Sequence, residues 1–379
     1  MIWSLSHSFF DKPHTMKSIF PFILLSISLQ TTEKQKPAHQ SSQQVSPVQN
    51  LFIITIDGFR WQEIFTGADS LLINDNFYCP DTATMKMLYW APTAEERRKR
   101  LMPFFWNILA SKGQVYGNRL FDNYVNVSNY YDLSYPGYNE IFSGNTDPSI
   151  ASNVKIKNPN VNVLEWLNEQ DEFRNKIVAF SSWNVFPYIL NRDRSGLKIN
   201  SGYDDDVDTT DQSLVNKVEE EAVYKKESTR HDELTFVAAK EYLNKFRPRI
   251  TLLSFGETDE MAHRGRYDLY LEKAARCDQM IAELWHWVQS TPGYKNSTSF
   301  IITTDHGRGK NKFSWQHHAF LLRGSSQTWL ALIGPNISSL GEMKEKQQIY
   351  QKQIAQTIAT LLGEQFHSNR SIAPAIALR

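Results

Sequence analysis

Cysteine is nearly absent from this chain: Cys79 and Cys277 are the only two in 379 residues. Two thiols cannot build a disulfide framework. They could form one bridge in an oxidising compartment, and the expectation is two free thiols. An excess of either charge is also missing. Lys+Arg and Asp+Glu both total 41, so bulk charge gives no attraction to a nucleic-acid polymer or an anionic membrane. There is no internal repeat. The apolar run at residues 19–29 is too short to span a bilayer as a helix, so no stable membrane insertion is expected. What the chain has is length enough for a large core and 13% aromatic residues, which argue against disorder.

The N-terminus carries an address. Met16-Lys17 precedes the apolar run, and Gln30-Thr31-Thr32-Glu33-Lys34 closes it. A basic start, a short apolar centre and a polar exit describe a signal peptide over residues 1–30. That predicts a secreted or periplasmic protein, with Met16 a more natural start than Met1. There is no A-x-A-like cleavage site and no cysteine after the run for lipid attachment. The competing reading is a buried N-terminal helix. Residues 31–49, rich in Gln, Ser, Lys and Pro, read as a flexible linker, leaving 50–379 as the folded domain.

Within that domain strands are expected at 51–56, 115–121, 176–181, 249–255, 300–304 and 328–333. Helices are expected at 93–112, opened by a Thr93/Glu96 capping box, and at 161–170, 233–246, 267–288 and 345–362. Alternating strands and helices predict an α/β fold, a mostly parallel central sheet with helices on both faces. Two stretches interrupt it: an irregular insertion at 69–92 and a charged lid at 204–230.

The chemistry gathers where strands end. The strand at 51–56 stops on Asp57-Gly58, and the strand at 300–304 stops on Asp305-His306-Gly307. Carboxylates and an imidazole at the C-terminal ends of core strands lie where open α/β sheets place ligands. Burying them costs free energy that a bound cation can offset. After the strand at 249–255, Asp259 and His263 are four residues apart and share a helix face. His317 and His318 offer one further imidazole, and spacing alone does not choose between them. Ser134, just ahead of Pro136 and with Gly144 downstream, falls at a helix N-terminus, where free N–H groups favour an anion. Each feature has an ordinary structural reading as a strand exit, a surface helix pair or an N-cap serine.

Taken in order, I-D-G-F (56–59), S-Y-P-G-Y (134–138), G-E-T-D-E-M-A-H (256–263), T-T-D-H-G (303–307) and W-Q-H-H (315–318) resemble the alkaline phosphatase superfamily. The likeness is greatest to its type I phosphodiesterase/nucleotide pyrophosphatase-like branch and covers roughly residues 50–363. The resemblance implies two divalent cations, most simply zinc given imidazole and carboxylate ligands without cysteine, with manganese the next candidate. One would be held by Asp57, Asp305, His306 and the Ser134 oxygen, the other by Asp259, His263 and His318. His318 is preferred to His317 because it precedes a small residue, here Ala319 where the family has glycine. Asn153 matches loosely the asparagine that binds a phosphoryl oxygen. The implied activity is hydrolysis of a small-molecule phosphate ester, mono- or diester, through a Ser134 phospho-enzyme. The sulfatase branch has C/S-x-P-x-R at the nucleophile, and Tyr138 stands in the arginine position, so sulfate-ester hydrolysis ranks second. A non-catalytic binding protein on the same fold ranks third, since every ligand position is filled. Arg192, Arg194, Lys155 and Lys157 are candidates for extra phosphate charge. Trp183, Phe186 and Tyr188 are candidates for stacking a leaving group.

Overall fold

The computed structural model describes residues 48–203, 214–221 and 223–378. The signal-peptide reading, most of the linker and residues 204–213 and 222 of the lid lie outside them. The strands are β1 (Asn50–Ile56), β2 (Gly113–Tyr116), β3 (Asn123–Asn126), β4 (Ile177–Ser181), β5 (Lys198–Ser201) and β6 (Ile250–Phe255). They continue with β7 (Thr298–Thr303), β8 (Gln327–Thr328), β9 (Leu330–Ile333), β10 (Gly341–Glu342) and β11 (Gln347–Tyr350). Eight form one sheet in the order β10-β2-β9-β7-β1-β6-β4-β5, and β11-β3-β8 form a small second sheet. The large sheet is parallel except where β9 runs against β7 and β2.

Strand β1 lies at its centre and is buried along its whole length. Its alternate side chains feed two separate cores. Phe52, Ile54 and Ile56 pack with the helices Asp232–Phe246 and Tyr267–Ser290, while Leu51 and Ile53 pack with Ser134–Ser143, Val163–Glu169 and Gln353–Leu361. An apolar strand without alternation is therefore the correct pattern here, because both faces are covered.

Five expectations needed correction. Residues 345–362 are not one helix: Gln347–Tyr350 is a strand parallel to β3, and only Gln353–Leu361 is helical. Gln-Gln-Ile-Tyr alternates, burying Ile349 and exposing its neighbours, so it suits a sheet edge. The strand expected at 328–333 breaks at Trp329, whose indole N–H donates to the Phe59 carbonyl at 2.8 Å, and the two pieces join different sheets. The 69–92 insertion is not irregular. It holds the short helices Ser70–Ile73 and Thr82–Tyr89, capped by the carboxylates of Asp69 and Asp81. The Thr93/Glu96 capping box is present, and the helix expected over 93–112 is interrupted at Met102, ahead of Pro103, before helical structure resumes and runs to Lys112. The strand expected at 115–121 stops at Tyr116. Cys79 and Cys277 are both buried and free.

Candidate metal centre

Sheet register assembles the site. β7, β1 and β6 are adjacent and parallel, and Thr55 pairs with both Thr303 and Ser254. Residues two steps past that level, Asp57 and Asp305, therefore leave the sheet side by side. β6 runs into the helix Glu257–His263, which carries Asp259 and His263 to the same edge. Two glycines permit the approach. Gly58 has φ +57, and a Cβ there would lie 2.6 Å from Asp259 Oδ1 and 3.1 Å from His306 Cε1. A Cβ on Gly137 would lie 2.4 Å from the Asp305 carbonyl oxygen, so its absence lets the Ser134–Ser143 helix rest against that strand end.

Ser134 is the first residue of that helix, after Leu133 in an extended conformation, and Gly144 ends it at φ 74. Pro136 sits in the first turn, where no intrahelical N–H is needed. Ser134 Oγ lies 3.2 Å from His306 Nε2. Asp57 Oδ1 and Asp305 Oδ2 each lie 3.4 Å from that same nitrogen. On the other side, His263 Nε2 is 3.2 Å from Asp259 Oδ2 and 3.1 Å from His318 Nε2, and the His306 and His318 rings stack with centroids 3.6 Å apart. The structure thus brings Asp57, Ser134, Asp259, His263, Asp305, His306 and His318 together, and leaves His317 exposed. Asp57, Asp305 and His306 form a buried floor, and His263 lies at the exposed mouth.

The donor set suits a cation. Asp57–Asp305–His306 and Asp259–His306–His318 each bring ligand atoms within 4.8 Å of one another. Asp57 Oδ1 and Asp305 Oδ2 are buried and accept no hydrogen bond. Both imidazoles are oriented from behind: His306 Nδ1 faces the Gly307 carbonyl at 2.9 Å and His318 Nδ1 the Asp132 carbonyl at 2.8 Å. In the neutral ring each Nδ1 therefore carries the hydrogen, and each Nε2 lone pair points into the cluster. Burial, with the charges of Asp305 and Asp259, pushes Asp57 well above the usual carboxylate range, and burial raises Asp305 likewise. Burial opposes charge on His306, yet Asp305, Asp57 and Asp259 bring it up to about 9. Burial also works against the Asp259 carboxylate, but Arg308, His263 and His318 hold it well below its ordinary value. Three acids sharing one pocket are in conflict unless positive charge joins them.

Sequence reasoning passed over four neighbours. Tyr138 donates its hydroxyl to Asp57 Oδ2 at 3.1 Å. Arg308, wholly buried, donates to Asp259. Asp132, pushed up to about 7 by burial, has an unpartnered Oδ1 two residues before Ser134. Asp232 accepts from the backbone N–H groups of Gly256 and Glu257, at 2.8 and 3.1 Å, and so fixes the start of the Asp259 helix. Tyr138 and Arg308 lay inside or next to recognised motifs; Asp232 had no local signal. Asn153 is exposed, and its Oδ1 accepts from the Tyr135 N–H at 2.9 Å, beside Ser134. Three of the four basic candidates are engaged elsewhere: Arg194 with Glu165 and three backbone carbonyls, Lys157 with Asp193, and Arg192 with the Ile199 carbonyl, while Lys155 lies 5.9 Å over the Tyr188 ring. Phe186 is a core ring, 4.7 Å from Tyr138.

The structure resembles an alkaline phosphatase, PafA, at TM-score 0.57 and 12% identity, over 87% of this chain and 98% of that one. It also resembles the lipoteichoic acid synthase LtaP from Listeria monocytogenes, at TM-score 0.54, 12% identity, 87% and 78% coverage. A third likeness is to a sulfatase-designated structure from Bacteroides thetaiotaomicron, at TM-score 0.52, 12% identity, 86% and 73% coverage. At such identity these establish the fold alone. No curated protein matches in sequence. The profile of type I phosphodiesterase / nucleotide pyrophosphatase matches residues 110–360, a span that holds every site residue except Asp57. Its fold is that of the alkaline phosphatase-like structures, and the chain belongs to the type I phosphodiesterase / nucleotide pyrophosphatase family.

Proposed function

We propose that this protein is a secreted or periplasmic hydrolase of small phosphate esters that uses Ser134 as nucleophile and two divalent cations, zinc by ligand type. The observation that carries the reading is Ser134 Oγ at a helix N-terminus, 3.2 Å from His306 Nε2, the nitrogen that Asp57 Oδ1 and Asp305 Oδ2 also approach at 3.4 Å. Asp57, Asp305 and His306 would hold one cation beside the Ser134 oxygen, and Asp259, His263 and His318 the other. The cations would favour ionisation of the hydroxyl and neutralise the charge of the transferring phosphoryl group.

The chain's own residues do the positioning. Ser134 Oγ forms the bond to phosphorus as the bond to the leaving oxygen breaks. Water then cleaves the phosphoserine, releasing phosphate from a monoester or a phosphate monoester from a diester. The positive end of the helix dipole favours the anionic substrate over Ser134, although the Tyr135 N–H is taken by Asn153 and Pro136 has none. Asn153, its Oδ1 fixed by Tyr135 N–H, keeps its amide NH2 to donate to a phosphoryl oxygen. The Tyr138 hydroxyl on Asp57 steadies the cation floor from beneath.

Purified mature protein is to be assayed on an aryl phosphate monoester, an aryl phosphate diester and an aryl sulfate, with and without zinc. Zinc-dependent cleavage of a phosphate ester is expected, and the rate ratio identifies the preferred class. Cleavage of the sulfate ester alone would replace this reading with a sulfatase one.

A further inference from the structure

The cluster contains a positive charge of its own. Arg308, directly after the Asp305-His306-Gly307 turn, is one of the largest fully buried side chains. Its Nε donates to the Trp315 carbonyl at 2.9 Å and its Nη2 to the Gln316 carbonyl. Those two bonds fix the guanidinium against the segment that carries His318. Nη1 then reaches Asp259 Oδ1. That oxygen is also 3.7 Å from His318 Nε2 and 3.9 Å from His306 Nε2. The guanidinium therefore occupies one side of the carboxylate oxygen that faces the Asp259 half of the cluster. A Cβ on Gly58 would lie 2.7 Å from Nη1, so the close fit includes the backbone below.

An arginine guanidinium is a permanent cation. Asp57, Asp259 and Asp305 supply three negative charges, and Arg308 leaves two of them to balance. One dication then completes neutrality, whereas a second must enter beside a guanidinium already paired with its own ligand. Arg308 and His318 are buried, so water at the His263 mouth screens that repulsion only in part. At the other half, Asp57 Oδ1 and Asp305 Oδ2 accept no hydrogen bond and face the His306 imidazole at 3.4 Å.

We infer that Arg308 is a built-in cation of the Asp259 half of the cluster and makes that position the weaker and exchangeable of the two metal sites. The inference rests on the two-cation reading above and adds an order of affinity that the ligand types do not predict. It also gives the enzyme a dependence on free zinc: one ion stays, and the second comes and goes.

The test is zinc stoichiometry, read without any substrate. Metal-stripped full-length mature protein is titrated with zinc by calorimetry, and the metal retained after dialysis is measured by elemental analysis. Wild type should retain one equivalent and bind a second at least about tenfold more weakly. Arg308→Met removes the charge and should tighten the second site by about tenfold or more, with the first little changed. Arg308→Lys keeps the charge but cannot reproduce the fork to Trp315 and Gln316, and its second site should stay weak. Two equally tight equivalents in wild type overturn the inference while leaving the two-cation reading intact. So does an Arg308→Met protein, folded by near-ultraviolet circular dichroism, that binds both ions less well, because Arg308 would then be only a brace. Wild-type protein that binds no zinc overturns both statements.

Discussion

Removing cations should reverse how the stability of this protein depends on pH. Without metal, burial and mutual repulsion hold Asp57 and Asp305 above the ordinary carboxylate range, and the same acids bring His306 from 6.5 up to about 9. Each of these folded-state values lies above its unfolded counterpart, so these groups bind more protons in the folded chain; His318, held well below its ordinary value by burial and by His306, opposes them near its unfolded pKa. Linkage fixes the sign. The stabilisation is fully present below each unfolded pKa and is lost as pH rises through the folded one. For the two acids the loss begins just above the ordinary carboxylate range. For His306 it runs from 6.5 to about 9. Asp278, a buried acid pushed up to about 7, adds a slope of the same sign. Glu257, held down to about 2, is ionised throughout that window and adds none. A displacement like that of His306 corresponds to roughly 3 kcal/mol, which is the scale for the cluster as a unit because its members titrate together. In a chain of this size that is a fall in Tm of several degrees, roughly 3–6 °C, between about pH 6 and pH 9. Zinc should act oppositely, since its ligands must be deprotonated and protons compete with it. Thermal unfolding followed across this range in chelator and in excess zinc measures both slopes. A metal-free Tm that is flat or rising, parallel to the zinc-loaded curve, would refute the charge-conflict argument.

Two substitutions probe the support of the cluster. Gly58→Ala introduces a Cβ at φ +57, within 2.6 Å of Asp259 Oδ1. It should weaken zinc retention by roughly tenfold or more and cost about 1–2 kcal/mol from the backbone alone. Unchanged zinc affinity by competition with a chromogenic chelator would mean that the turn has slack. Asp232→Ala removes a buried carboxylate that accepts from Gly256, Glu257 and Ser182. It should cost roughly 2–3 kcal/mol in urea unfolding of the zinc-loaded protein, because the donors left behind are buried. A loss below about 0.5 kcal/mol would show that the cap contributes nothing of note.

The central sheet was legible because its strands obey local rules. A run such as 51–56, apolar on every residue, has few options besides a strand covered on both faces, and β1 is one. The chemical residues were legible because the motifs put them at strand ends, and parallel register turned sequence positions into neighbours. The 345–362 segment failed because its Gln-rich start suits a helix on propensity alone. What decides it is the open edge of β3, a partner more than two hundred residues away. Arg308 was passed over for a related reason. An arginine after a catalytic-looking glycine reads as surface until the Trp315 and Gln316 carbonyls are seen around it. Tyr138 was read only as the residue standing where a sulfatase pattern has arginine, while its contact with Asp57 depends on helix and strand lying together. Asp232 acts through a helix cap closed across 24 residues, which no window of sequence reveals.

The most direct measurement is of the covalent bond itself. Zinc-loaded protein mixed with excess aryl phosphate ester, quenched in acid within one turnover and digested, is to be examined by mass spectrometry. The account predicts one phosphoryl group on the peptide containing Ser134, absent from Ser134→Ala, which should bind zinc but not turn over. Turnover retained by Ser134→Ala, or a phosphoryl group trapped on another residue, would contradict it.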